Sequence, residues 1–156
     1  GNYRTLLEMI KPSQIKPDEA LKALLDGLIV VNTSETDTNI VAIYTQGQKP
    51  STSLPDEFIE VLLNGSPRAK TSDYTMLRGN IALAISCKAR SDGTVKSIRV
   101  NQMLRQVEEL VNGEGSGMYF FTINPTNIYT PSAVDASSGY STMVLNVQWT
   151  AKEINN

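Results

Sequence analysis

From Gly139 to Glu153 the chain reads GYSTMVLNVQWTAKE, and its large apolar residues, Met143, Leu145, Val147 and Trp149, occupy every second position. That period of two predicts a strand whose Thr142, Val144, Asn146 and Gln148 lie on a more exposed or intersubunit face. Between Asn80 and Arg90 the same alternation puts Ile81, Leu83, Ile85 and Cys87 on one face. Ala82, Ala84 and Ser86 fall opposite, and their small size predicts close packing on that second face too. Between Thr94 and Val111 the period changes: Val100, Met103, Leu104, Val107, Leu110 and Val111 recur at intervals of three and four. They form one stripe of an amphipathic helix, the longest in the chain. NGEGSG ends that helix, MYFFTI starts another strand, and the loop NPTNIYTPSAVDASS leads into the final strand.

The first half is ordered by punctuation more than by period. PDEALKALLDG (17–27) and PDEFIEVLLNG (55–65) both open with Pro, carry acids in the first turn and close on Gly, the usual start and stop signals of a helix. Two short helices are therefore expected, with a third in YRTLLEMI closed by Pro12. NIVAI and NIALAI follow the two PDE segments, which raises an old duplication as one reading of the likeness. LIVV and NIVAIYTQ flank the polar NTSETDT as a strand pair around a turn. QGQKPSTSL (46–54) and most of NGSPRAKTSD (64–73) are loops by composition.

Together these patterns predict one α+β domain over 1–156. An antiparallel or mixed sheet of four to five strands carries the 94–111 helix on one face. Extra N-terminal helices occupy about 1–65, and the main sheet and helix occupy about 66–152.

Composition narrows the chemistry. The chain has 156 residues, 40% apolar and 19% charged, with a formal net charge of −2, and it carries no histidine and one cysteine. Without histidine the commonest general base and the commonest metal ligand are absent. Cys87 can form no internal disulfide, lacks the companions of a structural zinc site, and reads as a buried inert thiol. A pI near 5.2 provides no footprint for avid binding to a phosphate backbone. The apolar run around GLIVV is too short to span a bilayer and is preceded by Asp26. The chain begins Gly1-Asn2-Tyr3 without a methionine. Gly1 therefore reads as a remnant of expression, and a removed signal peptide stays compatible with the sequence.

Candidate motifs have plainer explanations. GEGSG (113–117) follows a helix and precedes a strand, the reverse of a phosphate-binding loop, and reads as a helix-terminating linker. SQIK (13–16) has the spacing of a serine nucleophile and lysine base, but Pro12 and Pro17 bracket it. Lys88, Arg90, Lys96, Arg99 and Arg105 read as a solvated face balanced by Glu108 and Glu109. Asp18, Glu19, Asp56 and Glu57 read as helix-start acids, and Asp73, Asp92 and Asp135 as turn residues. No catalytic residue, cofactor site or metal site is expected.

The segment from Asn80 onward, GNIALAISCKA, VNQMLRQVEELV, INPTNIYTPSAVDASSGY and STMVLNVQW, resembles the tail-terminator and head–tail joining proteins of long-tailed bacteriophages. These are also described as minor capsid or tail completion proteins. The likeness is one of element order and length over about residues 80–152. It implies a non-enzymatic structural subunit that forms a ring, usually a hexamer, caps the tail tube and meets the head connector. Such a protein resides in the virion, or in the host cytoplasm during assembly, and has no membrane partner. On this reading the two long loops supply the subunit or partner contacts, through Tyr129, Pro131, Asp135 and Tyr140 and through Gln48 and Lys49. The residues alone leave two alternatives open: a bacterial ligand- or partner-binding α+β module, and a histidine-free hydrolase.

Overall fold

The computed structural model describes residues 16–26, 29–31, 38–69, 76–123 and 132–152. The first element among these residues is helix α1, Pro17–Leu25, which begins where Pro17 and the acids Asp18 and Glu19 predict. Leu21 and Leu25 are fully buried, and Lys22 pairs with Asp26 one turn on at 2.9 Å. Strands β1 (Ile29–Val31) and β2 (Thr38–Ile40) then form a small antiparallel ribbon, as the two apolar runs around NTSETDT predict.

The main sheet has six strands: β3 (Ala42–Thr45), β4 (Glu57–Ala69), β5 (Met76–Lys88), β6 (Glu114–Ser116), β7 (Tyr119–Ile123) and β8 (Tyr140–Lys152). Their order is β3-β4-β5-β8-β7-β6, and every neighbouring pair is antiparallel except β3 with β4. The sheet is therefore mixed, and it has six strands where four to five were expected. Residues 46–56 return the chain to the end of the sheet where β3 began, so β4 aligns parallel to β3, a pairing no tight hairpin could make.

The largest departure from the sequence reading is β4. PDEFIEVLLNG has the start and stop signals of a helix, yet Glu57 onward is a strand. The residues that would form a first helical turn are engaged elsewhere: the Asp56 carbonyl accepts the Lys88 N–H at 2.8 Å, and the Pro55 carbonyl accepts the Tyr140 hydroxyl at 2.7 Å. Ile59 and Val61 then alternate inward, both fully buried, and β4 pairs on both sides. Long-range pairing of a β-branched segment outweighs the local helix signal. The loop expected over 64–73 is corrected in the same way, because β4 continues to Ala69 across an irregular register between Asn64 and Arg68. Of the expected N-terminal helices α1 is present, 55–65 is replaced by strand, and the one in YRTLLEMI lies outside the described residues.

Helix α2 spans Ser97–Val111. It starts later than Thr94 because Asp92 holds a turn, accepting the Thr94 N–H at 3.0 Å and the Thr94 hydroxyl at 2.6 Å. Val100, Met103, Leu104, Val107 and Val111 are buried as the stripe predicts, while Leu110 at its flank is 37% exposed. Helices α1 and α2 pack against each other and against one face of the sheet. There they cover Ile43, Ile59, Val61, Ile81, Leu83, Ile85, Phe121, Met143, Leu145, Val147 and Trp149.

The opposite face has no helix layer among the described residues. The small residues of β5 are covered by neighbouring strands instead. Ser86 lies between Phe58 and Thr142, with its hydroxyl 2.9 Å from that of Thr142, and Ala84 lies between Glu60 and Val144. Val144 is 48% exposed, and Asn146 and Gln148 are open to solvent.

Candidate subunit-contact site

Tyr140 opens β8 on the helix-free face, and two loops meet around it. Its hydroxyl donates to the Pro55 carbonyl at 2.7 Å, which ties it to the end of the 46–54 loop. Its ring stands edge-on to Phe58 with centroids 5.3 Å apart, and Phe58 lies tilted to Tyr44 at 6.1 Å. Such pairs are worth about 0.5–1.5 kcal/mol beyond the area they bury. Burial raises the Tyr140 phenol, and the neighbouring Asp56 adds to the effect, so it stays a proton donor at neutral pH.

On the other side of Tyr140 the residues 132–139 fold back along β8. The Ser132 N–H donates to the Thr142 carbonyl at 2.9 Å, the Thr142 N–H donates to the Ser132 hydroxyl at 3.0 Å, and the Asp135 N–H donates to the Tyr140 carbonyl at 2.9 Å. The Asp135 carboxylate caps the turn by accepting from the Ser137 hydroxyl at 2.6 Å and the Ser137 N–H at 2.8 Å. The Ser137 bonds hold the Asp135 carboxyl below the usual range. Gly139 closes the turn at φ 81°, in the left-handed region that glycine enters without steric cost.

Lys49 comes from the first loop. Its ammonium is 3.1 Å from Glu60 and 5.8 Å from the centre of the Phe58 ring, close enough for a cation–π contact. Gln48 is exposed beside it, its N–H donating to the Thr45 carbonyl at 3.0 Å. Ser53 in the same loop holds φ 59°, a strained conformation for a residue with a Cβ, and such strain persists only where the surroundings impose it.

Of the six residues expected to make contacts, Lys49, Tyr140, Gln48 and Asp135 thus lie on two loops joined at one end of the sheet. Tyr129 and Pro131 lie outside the described residues, as does most of SQIK. Phe58 and Glu60, which hold Lys49 and Tyr140 in place, escape the sequence reading because 55–65 looks helical.

Beneath this cluster, on the helix side of the sheet, lies a buried ion pair. Arg99 donates through Nε to Glu57 Oε1 and through Nη2 to Glu57 Oε2, each at 2.7 Å, and both residues are 7% exposed. Arg99 is therefore not part of a solvated basic face, and Glu57 is not a helix-start acid. The pair is bidentate, the geometry in which guanidinium and carboxylate match best. It clamps the first turn of α2 to β4. Cys87 faces Glu57 across the strand pair and is buried, with its thiol raised to about 11 chiefly by burial and next by the Glu57 charge. Ser141 faces Cys87 from β8, and its buried hydroxyl has no hydrogen-bond partner among the described residues.

GEGSG forms β6 and the turn of its hairpin with β7, not a simple linker; Gly113 and Gly117 hold φ 76° and 59°. Among the described residues no helix is long and apolar enough to cross a membrane, and no three His, Cys, Asp or Glu residues gather as a metal site.

No family model matches the chain, and no curated protein sequence matches it. Among solved structures, one whose designation states no activity is similar at 10% identity, covering 88% of this chain and 97% of its own, with a TM-score of 0.53. At that identity the likeness is one of fold alone: the α+β arrangement recurs in a protein of nearly the same extent.

Proposed function

We propose that this chain is a structural subunit of a phage or prophage virion, of the tail-terminator type, which joins others in a ring to cap the tail tube or connect it to the head. The observation that carries the reading is the junction at Tyr140. Two loops some eighty residues apart in sequence are fastened to one end of the sheet by the Tyr140–Pro55 bond across 85 positions. Strain at Ser53 and the Asp135 turn shape these loops further. Ordered loops longer than simple connectors need generally bind something. Their exposed groups, Gln48 and Asp135, would supply a polar rim and the half-buried Tyr140 an aromatic contact, with Phe58 buried beneath it as support.

The test is co-assembly with the tail tube protein encoded beside this chain. Labelled subunit should appear at tube ends by electron microscopy, and a variant with residues 133–138 replaced by a short glycine linker should be lost from them while its melting temperature holds. Tubes that never acquire the intact subunit would sink the reading.

A further inference from the structure

The helix-free face of the sheet is open to solvent where β4, β5, β8 and β7 run side by side. Asn64, Asn80, Asn146, Gln148 and Val144 are exposed there, Val144 at 48%, and Leu62 and Ala82 are half-buried between them. None of these residues carries a charge. The charged groups of this face stand at its margins: Glu60 with its partner Lys49 on the side of β3, and Arg78 towards the far end. An ordinary protein surface is about 25–35% Lys, Arg, Asp and Glu. The solvent side of α2 conforms to that pattern, with Arg105 and Glu109 exposed along it. A connected patch depleted of charge has instead the composition of an interface centre.

The amides point the same way independently. Asn is among the residues that strands disfavour. Yet Asn64 faces Asn80, Asn80 faces Gln148 and Gln148 faces Thr122, so the register lays one row of uncharged hydrogen-bonding side chains across the sheet. Each primary amide both donates and accepts, which makes the row complementary to a second copy of itself. Shape agrees with chemistry. Val144 protrudes beside Ala84, and Ala82 lies beside Asn146 in the next row. When a two-fold axis runs between β5 and β8, each β5 lies over the β8 of the other copy, so Val144 meets the small alanines and Asn80 meets Gln148. At about 4.8 Å between strands and about 3.3 Å per residue, β4, β5 and β8 between the levels of Thr142 and Thr150, with the adjoining part of β7, present roughly 500 Å². Two copies would bury roughly 1,000 Å², about what a specific interface requires.

We propose that two copies of this chain pair through their helix-free faces, sheet against sheet, with Val144 and the row of Asn80 and Gln148 at the centre of the contact. The contact is isologous and closes on itself as a dimer. The strands of the two copies run within about 30° of each other, as in other face-to-face sheets. The pairing goes beyond the assembly reading above and does not depend on it, since it uses neither the Tyr140 loops nor a tube or connector.

The experiment is sedimentation of the full chain over a wide concentration range at low and moderate salt, with the variants Val144→Lys, Gln148→Lys and Asn101→Lys. Wild type should pass from monomer to dimer with little dependence on salt, because the centre of the contact holds no charge for salt to screen. Val144→Lys and Gln148→Lys should each weaken dimerisation about tenfold or more, since the new ammonium would be taken out of water without a partner. Asn101→Lys, on the exposed side of α2, should dimerise like wild type. Melting temperatures are compared at concentrations where all four chains are monomeric. If Val144→Lys lowers that temperature, Gln148→Lys, at an exposed position, decides alone. A wild type still monomeric at about 1 mM overturns the pairing. So do lysine variants of β8 that dimerise normally, or an Asn101→Lys that fails as they do. A monomeric wild type whose attachment to tube ends is lost on Val144→Lys would give the face to the tube protein, and that too overturns the pairing. If dimers form and respond as expected while tubes never acquire the subunit, the pairing stands and the assembly reading fails.

Discussion

Gly79 and Trp149 face each other across β5 and β8, and the indole occupies the space a side chain at 79 would need: a Cβ there would lie 2.6 Å from Trp149 Nε1. The fully buried indole also stacks edge-on against Tyr119 at 5.8 Å, so it is held from two sides. Gly79→Ala should therefore lower stability markedly although it adds a single methyl, since neither ring nor strand can move freely. Trp149→Ala should cost about 3–5 kcal/mol, the range for truncating a buried aromatic. Urea denaturation compares both with wild type. If Gly79→Ala melts like wild type, the close approach is wrong.

The Glu57–Arg99 pair makes a sharper distinction. Arg99→Met leaves a carboxylate buried and unpaired, which should cost about 3–5 kcal/mol. Converting both partners to apolar residues of similar volume, Glu57→Leu with Arg99→Met, should recover most of that loss, because removing both charges also removes their desolvation cost. Chemical denaturation of the two variants measures the difference. Equal losses would show that packing, not charge, dominates at this position.

The Cys87 thiol sets a pH dependence of known sign. Its folded value of about 11 lies above the ordinary 9.0, so the folded state holds the proton more tightly than the unfolded chain. That contribution is fully present below pH 9 and is lost as pH rises through 11. The loss should reach about 2–3 kcal/mol by that point, since each tenfold difference in proton affinity between the two states is worth about 1.36 kcal/mol. Tyrosines titrate in the same region, so the check is a comparison with Cys87→Ala: the decline between pH 9 and 11 should be shallower in the variant. A thiol reagent at neutral pH should modify Cys87 only on unfolding.

Tyr140→Phe keeps the ring on Phe58 and removes the hydroxyl, with its bond to the Pro55 carbonyl at 2.7 Å and its longer one to the Leu54 carbonyl at 3.4 Å. The expected loss is about 1 kcal/mol, that of one hydrogen bond. Faster amide exchange should appear together in residues 46–56 and 132–139 if Tyr140 couples the two loops. Acceleration confined to one of them would refute the coupling.

Several features were legible in the chain itself because they are local. Period two in β8 and β5 and the three-and-four spacing of α2 follow from how each element presents side chains, and they identified most of the buried face. The turn chemistry of Asp92 and Asp135 and the Pro-acid start of α1 are likewise contained within a few residues. Tyr140, Lys49, Gln48 and Asp135 were accessible as candidates because they stand on loops longer than connections require.

What only the tertiary structure decided depends on partners distant in sequence. Identical punctuation precedes α1 and β4, and the first folds as a helix while the second becomes a strand because β3 and β5 flank it and Tyr140 and Lys88 bind the Pro55 and Asp56 carbonyls. Arg99 and Glu57, which separately look like solvent-facing charges, become one buried pair 42 positions apart. Gly79 has no local signal, and its necessity comes from an indole seventy positions later. Local propensity is worth tenths of a kilocalorie per residue, about 0.7 kcal/mol at most for ordinary residues. Sheet pairing and burial act on whole segments at once, so where the two conflicted the long-range terms determined the fold.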